Sequence, residues 1–216
     1  MVITYCGHEF FKLQFGETVI AVNPISKESA LKQSRFGADI VLVGAQNDID
    51  KNGVEMVTHG EKTPFVISGP GEYEVGGIFV KGAGLASVGG GGETGKQPYM
   101  TAFWLLLEGM RLCFLTGLVT KQISKETREM IGEVDILFVP IGGGEVLNAS
   151  DAHEVAVSLE ANIIIPMHFD GGDKKSPALL QFLKEAGAED VVAVEKLTIK
   201  KKDVTEANGS IVVLAA

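Results

Sequence analysis

The sequence predicts an α/β fold in which two mixed β-sheets face each other and helices cover the outer faces. Three observations carry that reading. The first half is a series of short strand-like runs, the second half alternates helix-like with strand-like segments, and no stretch of linker composition separates them. The 216 residues are 45% hydrophobic and 22% charged, which suits one domain, 1–216, able to bury a core without disulfide or metal support.

The elements follow in order. Val2 to Tyr5, Phe10 to Phe15 and Thr18 to Val22 read as a β-meander, with Gly16-Glu17 as a tight turn and Asn23-Pro24 ending the third strand. Ala38 to Val43 is apolar apart from Asp39 and lies between Gly37 and Gly44, as a buried strand would. Lys51 to Thr58 reads as a short helix. Phe65 to Ser68, Glu72 to Val75 and Ile78 to Lys81 read as strands, and Leu85 to Pro98 as a glycine-rich loop. Met100 to Leu107 and Met110 to Leu115 form a hairpin around Glu108-Gly109. Helix-like Lys125 to Ile131, Ala152 to Leu159 and Pro177 to Ala186 then alternate with strands Asp135 to Val139, Ile163 to Ile165 and Val191 to Val194. Ser210 to Leu214 is a last strand.

Charge and composition exclude several function classes. The 19 basic and 28 acidic residues give a net charge of −9, which disfavours nucleic acid, because binding phosphates needs clustered Lys and Arg. The basic run Lys200 to Lys202 is followed by Asp203 and Glu206 and reads as a solvated turn. No apolar run reaches the roughly 18 residues of a membrane span, and the N-terminus lacks the marks of a signal peptide. A cytoplasmic protein is therefore expected. Cys6 and Cys113 lie in apolar segments and read as reduced thiols.

The candidate chemical motifs are few. Gly90 to Lys96 fits seven positions of a phosphate-binding loop, but Gln97 stands where Ser or Thr should hold magnesium, and Pro98 and a strand follow instead of a helix. A plain loop is expected there. Gly142-Gly143-Gly144 follows a strand and precedes a helix that Asn148 or Ser150 could cap, a place where α/β proteins bind ligands. Of the four histidines, His59 and His153 read as surface residues and His8 lies near a strand start. His168 stands at the C-terminal tip of an apolar strand, well placed to reach a site. Asp48 and Asp50 flank Ile49 after a strand; they could share a metal or cap the helix expected to follow.

Taken in order, six segments resemble the metallo-β-lactamase superfamily, and within it the small predicted zinc-dependent hydrolases related to sugar-phosphate lactonases. They are Ile3-Thr-Tyr-Cys-Gly-His-Glu-Phe10, Ala38 to Val43, Gly69-Pro-Gly-Glu-Tyr-Glu-Val75, Arg111 to Leu115, Val134 to Gly143 and Ile163-Ile-Ile-Pro-Met-His168. The resemblance covers nearly the whole chain and implies an αββα sandwich. It also implies a Ser/Thr-His-x-His-x-Asp-His signature after the strand Ala38 to Val43, whose residues help hold one or two metals that activate water.

This chain departs from that signature. Counted from the strand, the histidine positions fall on Ala45, Asn47 and Asp50 and the aspartate position on Ile49; counted back from Asn52, the last two fall on Asp50 and Lys51. Neither register retains a histidine. Thr116-Gly117-Leu118 stands where the family has a Gly-Asp pair, the loop Leu85 to Pro98 lacks the family's histidine, and only the final histidine is kept, as His168. A non-catalytic relative with no bound cofactor is therefore expected; if side chains such as Ile49 fill its altered pocket, no open polar cavity should remain there. The alternative is a hydrolase of a phosphorylated lactone or ester with zinc or manganese at a remodelled site. In that reading His168, Asp48 and Asp50 are metal ligands, His168 and Asp50 do the acid–base work, and Asn47, Gly142 and Gly143 contact ligand. Lys51, pointing inward, would oppose any cation there. A third role, assembly as a homo-oligomer, leaves no mark in the sequence.

Overall fold

A computed structural model describes residues 1–60, 63–85, 100–169 and 175–216. Two mixed sheets pack face to face with helices outside. The first runs β12-β1-β2-β3-β4-β5, built from Lys196–Thr198, Val2–Tyr5, Phe11–Phe15, Thr18–Val22, Ile40–Leu42 and Phe65–Ile67. The second runs β13-β11-β10-β9-β8-β7-β6, built from Ser210–Ile211, Ile163–Met167, Ile136–Pro140, Met110–Phe114, Met100–Leu107, Ile78–Leu85 and Gly71–Val75.

Local sequence explains most of these elements. In β2, Phe11 and Leu13 are buried while Lys12 and Gln14 are not, the period-two pattern of a strand with one face on the core. Strands β10 and β11 are buried at every position and pair in parallel, as continuous apolar runs between covering layers should. The β8–β9 hairpin turns on Glu108 and Gly109, both at positive φ, the conformation that a two-residue turn needs. The core lies between the sheets: Phe11 of the first meets Phe138 of the second at 4.8 Å, and Phe138 stacks on Phe114 at 3.8 Å.

The outer helices are α1 (Lys125–Ile131), α2 (Ala149–Ser158), α3 (Pro177–Glu185) and α4 (Lys201–Glu206). Asn148 caps α2 by accepting the Asp151 amide at 2.9 Å, and Ser150 lies inside that helix. His153 on α2 is half-buried with its ring edge-on to Phe182, not the surface residue expected. Cys6 and Cys113 are both free, and no described helix is long and apolar enough to cross a membrane.

Three further expectations need correction. The run Lys200 to Lys202 opens α4 instead of a solvated turn: Asp203 accepts the Lys200 amide, Val204 is buried, and Lys201 pairs with buried Asp135 at 2.7 Å. Val191 to Val194 contributes only a single bridge, Val194 to Leu214, and the strand in that region is Lys196–Thr198, paired with β1. Lys51 to Thr58 forms no α-helix, only a 3₁₀ turn at Val54–Met56. The cause is close packing at Gly53, whose amide bonds Pro24 at 2.7 Å and where an added Cβ would lie 2.3 Å from the Ile25 backbone. The loop 86–99, with the phosphate-loop resemblance, lies outside the described residues.

Candidate functional site

The strands β3, β4, β9, β10 and β11 deliver their C-terminal ends to one region, where α/β sheets commonly bind ligands. The β1–β2 connection reaches the same region. Its chain reverses through Gly7 at φ +97° and His8 at φ +55°, closed by the Cys6 amide donating to the Phe10 carbonyl at 2.8 Å. His168, immediately after β11, is at φ +57° and Asn23, after β3, at φ +50°. Three non-glycine residues in the left-handed region within one site mark a backbone held by its surroundings, and such positions concentrate at functional sites.

Those surroundings can be named. The His8 carbonyl accepts both the His168 amide at 2.6 Å and the Tyr5 hydroxyl at 2.8 Å. Gly142 passes so close to His168 that a Cβ on it would lie 2.2 Å from the His168 carbonyl oxygen. The two imidazole rings are 3.9 Å apart, tilted by 47°. Asn23 donates to Thr116 Oγ1 at 2.9 Å and accepts the Gly44 amide at 2.8 Å, tying the loop after β4 to the loop after β9.

At the centre is Glu9, fully buried. Its Oε1 lies 2.7 Å from His168 Nδ1, and the Gly117 amide donates to both carboxylate oxygens at 3.1 and 3.2 Å. Lys51, 4% exposed, projects inward from the turn after β4. Its Nζ lies 2.5 Å from Asp48 Oδ2 and 3.4 Å from His8 Nε2. An ammonium has only donors, so His8 Nε2 serves as acceptor there.

The charges are mutually arranged. Burial alone would lower the Lys51 ammonium's affinity for its proton, but Glu9 and Asp48 outweigh it and hold the group charged. Burial alone would raise the Glu9 carboxyl, but the charge of Lys51 and the bond from His168 bring it down to about 2. Burial, with His168 and Lys51 nearby, lowers His8 to about 4 and keeps it neutral. Both shifts predict acid sensitivity. His8 binds its proton more weakly when folded than at its ordinary 6.5, so stability should drain as pH falls from about 6.5 toward 4. Glu9 contributes stability present above its ordinary 4.5 and lost as pH falls toward about 2. Urea unfolding across this range should show the decline, and His8→Gln should flatten its upper part.

The sequence-selected residues are distributed as follows. His168 is in the cluster. Asp48 reaches it through Lys51 and also accepts the Asp50 amide at 2.9 Å, so it caps its own turn. Asp50 accepts the Ser29 hydroxyl through Oδ1 while its charge acts on His8 and Lys51, and Asn47 is exposed. Ile49 is 44% exposed and fills no pocket; Lys51 is the side chain that fills this one. Gly142 touches His168 through its backbone, whereas the Gly143 amide is spent on the Leu147 carbonyl at 2.9 Å. His8 and Glu9 were missed. Their signal in the sequence is slight, a polar pair between two apolar strands, which reads as a turn.

The family described as the beta-lactamase superfamily domain matches residues 2–168. The chain belongs to the metallo-β-lactamase superfamily. Among solved structures, this superfamily member is similar to a candidate Zn-dependent hydrolase from Thermotoga maritima, with 27% identity over 99% of this chain and 97% of that one and a TM-score of 0.75. A candidate metal-dependent hydrolase from Parabacteroides distasonis shares the fold at 19% identity, covering 86% and 89% of the two chains with a TM-score of 0.62. The metallo hydrolase Igni18 from Ignicoccus hospitalis does so at 16%, covering 92% and 99% with a TM-score of 0.59. No curated protein matches the chain in sequence.

The superfamily implies a metal, and the Lys51 ammonium stands beside the side chains that could hold one. His8, Glu9 and His168 offer donor atoms all within 4.8 Å of one another. An imidazole binds zinc at about 2.0–2.1 Å, so an ion on His8 Nε2 would enter the space the Lys51 ammonium holds at 3.4 Å. Two cations in so small a space repel strongly even with Glu9 and Asp48 beside them.

Proposed function

We propose that the chain is a non-catalytic member of the metallo-β-lactamase superfamily that does not perform metal-dependent hydrolysis. The observation that carries this reading is the buried Lys51 ammonium set against His8 and Asp48 and balanced by Glu9. The absence of histidine from Gly44 to Lys51 supports it, since metal in this superfamily's signature rests on that loop. The same reading keeps the chain cytoplasmic, in line with two free cysteines. Elemental analysis of protein purified without chelator, then offered zinc and manganese, tests it. The expected result is far less than one metal per chain and no turnover of phosphorylated lactones or esters. Near-stoichiometric metal would overturn the proposal.

A second reading rests on the His8–Glu9–His168 donors: a hydrolase with a remodelled zinc or manganese site. It requires Lys51 to leave or lose its proton, against the pull of Glu9 and Asp48.

A further inference from the structure

The side chains around Lys51 are those expected around a metal ion. Two imidazoles stand 3.9 Å apart, ring centre to ring centre. One, His168, is held through Nδ1 by a buried carboxylate, the arrangement that orients metal-ligating histidines and fixes which nitrogen is free. The other, His8, turns its Nε2 toward the ammonium, and Asp48 aims a carboxylate oxygen at the same ammonium. The anionic charge of Glu9 and Asp48 is met from inside the chain by one tethered cation.

We propose that the Lys51 ammonium is a built-in replacement for a divalent metal, and that removing it turns the surrounding His8, Glu9, His168 and Asp48 into a zinc site. This rests on the non-catalytic reading above and extends it. With the ammonium gone, buried Glu9 and half-buried Asp48 lose their counter-charge, and His8 Nε2 and Asp48 Oδ2 face the vacated space. Two imidazoles with carboxylate support make a ligand set that zinc accepts. Asp50 gives one carboxylate oxygen to the Ser29 hydroxyl and stands at the edge of this set, its charge acting on His8 and Lys51.

The test uses the full chain with Lys51→Ala and, independently, Lys51→Met, which keeps the stem's bulk and deletes the charge. Each is prepared with and without zinc, and zinc per chain and Tm are measured. Both variants should take up about one zinc per chain, and at about a hundredfold excess over Kd their Tm should rise by about 5–10 °C. The wild-type chain should do neither. Adding His168→Ala to Lys51→Met should abolish the uptake, locating the ion in the cluster. Variants that fold without taking up zinc, or that stay unfolded in excess zinc, overturn this inference and leave the non-catalytic reading standing. Wild-type protein that takes up zinc as its variants do overturns the non-catalytic reading instead.

Discussion

In metal-free buffer, Lys51→Ala should destabilise the chain by about 3–5 kcal/mol, the cost of stripping one partner from a buried charge set. The magnitude follows from what remains. Glu9 is fully buried, and without Lys51 it keeps its hydrogen bonds from His168 and Gly117 but loses the positive charge that does most to hold it ionised. Adding Glu9→Gln should recover part of the loss, because the second change removes the orphaned charge. Urea unfolding reads this as a lower midpoint at constant slope. A loss under about 1 kcal/mol, the range of solvent-exposed ion pairs, would mean that the ammonium is solvated and not part of the cluster.

Gly142→Ala should cost about 3 kcal/mol, the upper end of ordinary overpacking penalties. The clash is with backbone: the new Cβ would sit 2.2 Å from the His168 carbonyl oxygen, and that residue's amide is already fixed to His8 at 2.6 Å. His168 would have to move, and with it the bond to Glu9. Gly143→Ala separates packing from backbone conformation. Gly143 has φ +74° with open space around its Cβ, so alanine there should cost about 1–2 kcal/mol, the left-handed penalty alone. Equal losses at the two positions would show that close approach at Gly142 is not what holds His168.

The fold was legible because its strands carry their own pattern. Phe11 and Leu13 alternate with Lys12 and Gln14, and Ile163 to Met167 is apolar throughout, so each strand's burial can be read without its neighbours. The mistakes fall where distant contacts decide. Lys196 to Thr198 becomes a strand because β1 offers an edge, although two of its three residues are polar. Lys51 to Thr58 fails to form a helix because Gly53 is pinned against Ile25.

The site was legible only in part, for the same reason. His168 stood out by its place at a strand tip, and Lys51 by the consequence of pointing inward. Glu9 did not, since nothing within ten residues indicates that it will meet His168 and Gly117, 159 and 108 positions away. Its burial is a product of sheet packing, which brings the β1–β2 turn across the ends of β9 and β11.

The most direct measurement is anomalous diffraction at the zinc edge from crystals of the wild-type chain soaked in zinc. No peak is expected among His8, Glu9 and His168, and density for the Lys51 ammonium is expected beside Asp48 and His8. A zinc peak at that position, with Lys51 displaced, would contradict the non-catalytic reading.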